Sequence, residues 1–310
     1  MTLDQLRIFV AVAERQHVTR AAEALHLTQS AVSSALTTLE GRHGVALFDR
    51  VGRTIVLNLA GEIFLVEARA VLARASAAEA ALADLGDLSR GRLSIHASQT
   101  IASYWLPPRL VAFHRAYPGI ALGVAIGNTA EVAKAITDGA AELGLVEGEI
   151  DDLSLSRVVI DHDRLCLVVG RDHPWARAGA SRRRDLTQTA WVVREAGSGT
   201  RSSFEAMLAK VGLKLGALDV AMVLPGNEAV RGAVEAGAGA AVLSRSAVAS
   251  GLASGRLVEI PYDVPTRPFH LLRHKQRYRS RAGDAFIEIC GRGVEEQVPP
   301  SFDYVERLYR

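Results

Sequence analysis

Between residues 29 and 38 the side chains of Gln29, Ser30, Ser33, Ser34, Thr37 and Thr38 are uncharged hydrogen-bonding groups, with Thr28 just before them. Glutamine can pair bidentately with adenine, and serine or threonine can bond to several base edges or to phosphates. The same residues also suit the solvent face of an ordinary helix. A second chemical set lies further along, in Ser98-Gln99-Thr100, Gly127-Asn128-Thr129 and Glu195-Ala196-Gly197-Ser198-Gly199-Thr200-Arg201. Glycines such as Gly199 let a backbone approach a ligand, the hydroxyls of Ser198 and Thr200 can donate, and Arg201 can fork onto an anion. Asn227, after Pro225-Gly226, could close this set. Serine, threonine and asparagine are favoured helix caps with or without a ligand, so capping is the competing reading of each stretch.

Other chemistries find no support. Gly197-Ser198-Gly199 lacks the Gly-Lys-Ser/Thr of a phosphate-binding loop and the Gly-x-Ser-x-Gly of a nucleophile elbow. His96, His114, His162, His173, His270 and His274 are scattered, with no zinc-ligand spacing and no paired acid and base. The chain therefore reads as a non-enzyme without metal or cofactor. Cys166 and Cys290 both sit in apolar segments and read as reduced, buried thiols of a cytoplasmic protein. No signal peptide and no transmembrane helix are expected, because no basic segment leads into an apolar run and no run of ~18 apolar residues exists.

The elements that must position these groups start with a short unit. Leu3, Leu6, Phe9, Val10 and Ala13 fall at helical spacing. A second helix follows, with Thr19 placed as its N-cap and Ala21, Ala22 and Leu25 inward. After His26-Leu27-Thr28 a third helix begins near Gln29, with Ala31, Val32, Ala35, Leu36 and Leu39 on its inner face. Two helices so joined fit a helix-turn-helix, whose second helix enters the major groove. Residues 47–59 then alternate as a hairpin with Gly52 near its turn, a wing flanked by Arg50 and Arg53 that can reach phosphates or a narrow minor groove. Residues 1–58 hold six arginines against five acids, and the whole chain of 310 residues has a net charge of +2. Positive potential toward DNA must therefore come from placement.

Residues 59–85 contain no proline and many alanines, which predicts a helix. Phe64, Ala68, Val71, Ala75, Ala78, Leu82 and Leu85 form a coiled-coil-like stripe that can either pair two subunits or pack on its own domain. Gly86 stops the helix, and Ser89-Arg90-Gly91-Arg92 reads as a hinge. From residue 92, strand candidates at 93–97, 120–126, 142–146, 158–160, 164–170, 190–193, 221–223, 240–243 and 269–273 alternate with helices near 103–116, 129–138, 202–211 and 229–236. That alternation predicts parallel sheets flanked by helices, with ligands held where strands end and helices begin. The chain is expected to cross to a second lobe near residue 162 and to return near residue 264. Beyond Pro299-Pro300, Phe302, Tyr304, Val305, Leu308 and Tyr309 offer a short apolar face that is either a frayed tail or a contact.

The string from Ala21 to Ser33, then Leu39-Glu40 and Gly44-Val45-Ala46-Leu47-Phe48-Asp49-Arg50, resembles the N-terminal signature of LysR-type transcriptional regulators. The resemblance implies base reading at Gln29, Ser30 and Ser33, with wing arginines at Arg50 and Arg53. Ser34 departs from it, because many members carry arginine or lysine there. It further implies a multidomain chain: a winged helix-turn-helix (1–58), a linker and dimerisation helix (59–88), and a two-lobed α/β effector domain like periplasmic binding proteins (92–161 with 265–294, and 162–264), then an extension (295–310). Ser98-Gln99-Thr100-Ile101, Ile126-Gly127-Asn128-Thr129, Leu143 to Gly148 with Glu147, and Gly197 to Arg201 resemble most the branch serving sulfur and carbon assimilation, whose members sense small anions. The partners implied are double-stranded DNA, a small anionic metabolite, further copies of the chain and RNA polymerase, with no membrane. The competing reading is a small-molecule binding protein with a degenerate DNA-binding unit.

Overall fold

The computed structural model describes residues 1–51, 54–84, 91–148, 150–177 and 185–295. It holds two compact units: an N-terminal one that ends with a long helix, and a C-terminal one that contains both five-stranded sheets.

In the first unit, α1 (Leu3–Arg15) starts with a reciprocal cap. Gln5 N donates to Thr2 Oγ1 at 3.2 Å and Thr2 N donates to Gln5 Oε1 at 3.0 Å. Thr19 does not cap α2 (Val18–Leu25) but lies inside it. The cap is His17, whose Nδ1 accepts from Arg20 N, because Gln16 adopts the left-handed conformation (φ 48°) that ends α1 and starts the next helix sooner. Leu6, Phe9 and Val12 of α1 meet Ala21 and Ala22 of α2 and Val32, Leu36 and Leu39 of α3 (Gln29–His43) in one core. Ala31 is exposed instead of inward, since the helical phase that seats Val32, Leu36 and Leu39 turns it to solvent.

Strands β1 (Phe48–Val51) and β2 (Thr54–Leu57) pair antiparallel from Phe48↔Leu57 to Val51↔Thr54. Gly52 and Arg53 lie outside the described residues. Asn58 then joins the wing to α4 (Leu59–Asp84): its Oδ1 accepts from Gly61 N at 2.9 Å and its Nδ2 donates to Ala46 O at 3.0 Å. The expected stripe on α4 divides. Phe64 and Ala68 pack on the unit's own core, with Phe64 4.8 Å from Phe9 between ring centroids, whereas Val71 and Leu82 stay exposed. Leu85 lies outside the described residues, as do Gly86 and the first part of the expected hinge. A separate row, Leu59, Ile63 and Val66, is exposed beside the packed face.

The second unit runs β3 (Gly91–Ser98), α5 (Leu106–Ala116), β4 (Ile120–Gly127), α6 (Thr129–Asp138), β5 (Leu143–Glu147), β6 (Leu155–Asp163), β7 (Leu165–Gly170), α7 (Pro174–Arg177), β8 (Ala190–Arg194), α8 (Gly199–Lys210), β9 (Asp219–Leu224), α9 (Asn227–Glu235), β10 (Ala240–Ser244), α10 (Arg245–Ala253), β11 (Leu257–Ile260), β12 (Arg267–His274) and α11 (Arg281–Glu295). The first lobe is built on β4-β3-β5-β12-β6 and the second on β11-β7-β10-β8-β9. The sheets are mixed, not parallel throughout. β12 runs antiparallel to β5 and β6, and β7 antiparallel to β10 and β11, because the chain passes straight from one sheet to the other through Arg164 and returns through residues 261–266 without a helical crossover. The helix expected near 103–116 begins earlier, as a π-turn (Ile101–Trp105), before α5. Pro107 and Pro108 have no amide hydrogen to donate back, so the preceding turn cannot close as regular α-helix. Residues 296–310, including the expected apolar face, lie outside the described residues.

Gly61 marks a close approach in the first unit, since a Cβ there would lie 2.1 Å from Leu47 O. Gly61→Ala is expected to cost ~1–3 kcal/mol, read as faster amide hydrogen exchange across residues 1–60 in the full chain. Unchanged protection would mean that Leu47 moves aside freely.

Candidate functional site

Helix α3 presents the uncharged set. Thr28 Oγ1 accepts from Ala31 N at 3.2 Å and lies 3.1 Å from Ser30 Oγ, so these two hydroxyls organise the helix start. Gln29, Ser30, Ser33, Ser34 and Thr37 are all exposed. Thr37 Oγ1 donates to Ser33 O at 3.0 Å and Thr38 Oγ1 to Ser34 O at 2.8 Å. Both threonines thus spend their donor on their own helix and keep acceptor lone pairs. Arg50 is exposed on β1, and Arg53 lies outside the described residues.

In the second unit the loops after β3, β4 and β5 meet the starts of α8 and α9. Gly199 comes so close that a Cβ on it would lie 1.9 Å from Glu147 O, which explains a residue without a side chain there. Ala130 N donates to Gly197 O at 3.3 Å, and Thr129 Oγ1 to Glu147 O at 2.7 Å. Asn227, fully buried, ties both lobes: its N donates to Gln99 Oε1 at 2.7 Å and its Nδ2 to Thr100 Oγ1 at 3.0 Å. Gln99 Nε2 and Tyr104 Oη in turn donate to Glu228 of α9. Burial and that bond push the Tyr104 phenol up to about 12.

At the centre stands a residue that the loop motifs did not indicate. Arg267, 4% exposed, donates from Nε and Nη2 to Asp163 Oδ2 at 2.9 and 2.7 Å, from Nη1 to Thr200 Oγ1 at 3.1 Å and from Nη2 to Thr100 Oγ1 at 3.4 Å. Asp163 Oδ1 accepts from Ser244 Oγ at 2.7 Å. Burial raises the Asp163 carboxyl above its usual range, and Arg267 and Ser244 offset that only in part. Ser98 Oγ donates to Glu147 Oε2, and Glu147 Oε1 lies 3.6 Å from Arg267 Nη2. Beside them Arg194 forks onto Glu195, with both bonds at 2.7 Å, and its Nη1 donates to Asn227 Oδ1 at 2.6 Å. Burial alone would raise Glu195, but that fork outweighs it and brings its carboxyl below the usual range.

Ser98, Gln99, Thr100, Thr129, Glu147, Ser198, Gly199, Thr200 and Asn227 thus converge. Asn128 serves a reciprocal cap at the start of α6, its N donating to Glu131 Oε2 at 2.8 Å and its Oδ1 accepting from Glu131 N at 3.0 Å. Arg201 pairs with Glu205 one turn on, at 2.8 Å. Arg267 and Asp163 were missed because each is a lone charge beside an apolar strand, and only their pairing across the two points where the chain changes lobe marks them out.

Comparison with known proteins decides the family. The profile of the LysR substrate binding domain matches residues 86–295, and that of the bacterial regulatory helix-turn-helix protein, lysR family, matches residues 3–62. The chain belongs to the LysR family. It is a DNA-binding transcriptional regulator with an effector-binding domain, not an enzyme, and the helix-turn-helix match does not favour a degenerate DNA-binding unit. A relative, the uncharacterized HTH-type transcriptional regulator YeiE of Escherichia coli K12, is 33% identical over 94% of this chain and 97% of its own. Full-length CbnR complexed with its target DNA shares the fold at a TM-score of 0.66 and 23% identity, covering 94% of this chain and 99% of that one. The regulatory domain of CcmR from Synechocystis PCC6803, in complex with 2-PG, does so at 0.61 and 23%, covering 67% and 99%.

The regulator's first lobe braces its outgoing strand with Trp105. Trp105 Nε1 donates to Asp161 Oδ2 at 2.6 Å, and Arg109 lies over the indole at 3.5 Å. No helix among its described residues is long and apolar enough to cross a membrane. Its cysteines are buried, and burial pushes both thiols up to about 12. The thiolate is the reactive form, so neither suits redox sensing. A disulfide-exchange reagent is expected to leave both unmodified until denaturant is added, and prompt labelling of either in the native protein would contradict this. Arg267→Met leaves Asp163 and Glu147 buried without their cation. It is expected to cost ~3–5 kcal/mol, measured as a lower urea midpoint of the effector domain, and an unchanged midpoint would remove Arg267 from the centre of the site.

Proposed function

We propose that the regulator acts in the cytoplasm, reads a two-fold DNA operator as a homo-oligomer, and responds to a small anionic metabolite held between its lobes. Arg267 carries the effector reading: a buried guanidinium in contact with hydroxyls of both lobes, at the place where helix starts converge. Ser198 makes no side-chain capping bond to α8, so in this reading the positive end of that helix is left to favour an anion. Thr100 and Thr200 accept from Arg267 and keep their own protons for a ligand oxygen. In this reading Ser98, Gln99, Thr100, Thr129, Glu147, Ser198, Gly199, Thr200 and Asn227 line the cleft, with Asn128 and Arg201 at its margin. The 2-PG held by the CcmR regulatory domain supports a small ligand in this fold.

Self-association is supported by apolar surface that no described residue covers. Leu59, Ile63 and Val66 form an exposed row on α4, and the edge strands β4 and β9 expose Val124 and Ile126, and Met222 and Val223. Two copies would present two α3 helices to two half-sites. Thr28, Gln29, Ser30, Ser33, Ser34 and Thr37 then face the groove, and Arg50 and Arg53 the backbone. RNA polymerase is the partner through which altered DNA contacts change transcription. A ligand achieves this only by binding one conformation more tightly than the other.

Arg50→Ala is expected to weaken binding alike on all DNA and to lower the slope of log K against log salt by about one for each phosphate that is no longer neutralised. Gln29→Ala is expected to cost ~1–3 kcal/mol on the operator and to relax base preference at one position. Fluorescence anisotropy on upstream DNA across a salt series measures both, and parental behaviour of both variants would move the reading surface elsewhere.

A further inference from the structure

The cleft carries a carboxylate beyond what its cations need. Among its described residues, Arg194 is held by both oxygens of Glu195, and Arg267 is neutralised by Asp163, which takes Nε and Nη2 on one oxygen and Ser244 on the other. Glu147 is a third carboxylate against these two guanidiniums and shares Arg267 with Asp163; it is 2% exposed at the end of β5, between Ser98 of the first lobe and Gly199 of the second. Its Oε2 accepts from Ser98, while its Oε1 stands 3.6 Å from Arg267 Nη2, beyond hydrogen-bond length. An ionised carboxylate accepts only, at about four lone-pair positions. A ligand in this cleft therefore meets donors from Arg267, Thr100, Thr200 and the start of α8, and one strong acceptor.

A fully ionised oxyanion satisfies the donors but sets an oxygen lone pair against the Glu147 oxygens, with no proton between two negative groups in a buried site. An oxyanion that retains an acidic O–H satisfies both. Hydrogen phosphate and sulfate isolate this difference, because they share shape and charge and differ by one proton. We infer, building on the anion reading above, that this cleft selects oxyanions bearing an acidic hydroxyl, of the hydrogen phosphate kind, over fully ionised ones, and that Glu147 is the discriminating residue by accepting the ligand's O–H. A buried polar group left without its partner is what makes such discrimination large.

Isothermal titration of the full chain with inorganic phosphate and with sulfate, at neutral pH and matched ionic strength, tests this directly. Phosphate is expected to bind at least tenfold more tightly. In Glu147→Gln the amide can donate to sulfate, so the preference is expected to collapse or reverse through a gain in sulfate affinity. Equal binding of both anions by the parent protein would overturn the selection and leave the anion reading standing. Binding of neither would overturn the anion reading and the selection together. A tenfold phosphate preference that survives in Glu147→Gln would overturn the role of Glu147.

Discussion

The pairing of Arg267 with Asp163 is the constraint on which the effector domain depends. Asp163 ends the strand by which the chain leaves the first lobe, and Arg267 begins the strand by which it returns, and the two residues face each other in the register of β6 and β12. One buried ion pair thereby joins both crossings. The same guanidinium reaches Thr100 of one lobe and Thr200 of the other, so it ties the lobes together alongside Asn227 and Glu228. Burying such a pair is costly unless its remaining lone pairs and protons are satisfied. Ser244, Thr100 and Thr200 supply those partners.

The two units use polarity in opposite ways. The N-terminal unit keeps its hydrogen-bonding side chains exposed along α3 and spends its apolar residues inward, extending that core onto α4 through Phe64 and Ala68. The effector domain buries its polar groups, and nearly each one described in the cleft finds a partner from the opposite lobe or from a neighbouring strand. DNA contact tolerates exchange with water and salt, whereas a ligand site gains selectivity from groups that water cannot reach.

Where structure follows local pattern, the sequence was legible. The helix from Thr129 to Asp138 and the strand from Ala190 onward follow from periodicity, and the winged helix-turn-helix follows from a long run of matched residues. Strand direction was not legible, because it depends on how the chain passes between sheets and not on any run of side chains. Ala31 was misplaced by one helical position, and His17 displaced Thr19 as a cap because Gln16 took a left-handed conformation that glutamine rarely adopts. The loops that carry Ser98, Thr200 and Asn227 were visible as polar breaks between apolar runs. Arg267 and Asp163 were not, since an isolated charge beside a buried strand looks like an ordinary strand end until both crossings are seen together.

The tryptophans of this chain are Trp105, Trp175 and Trp191, all in the effector domain, and residues 1–90 contain neither tryptophan nor tyrosine. Trp105 is bonded to the outgoing strand through Asp161 and lies under Arg109, while Trp191 sits against Phe204 in the core of the second lobe. The protein is therefore optically partitioned. Its tryptophan and tyrosine emission belongs to the sensing half, with one tryptophan fixed to the strand through which the lobes are joined, and the DNA-binding half is silent under tryptophan excitation.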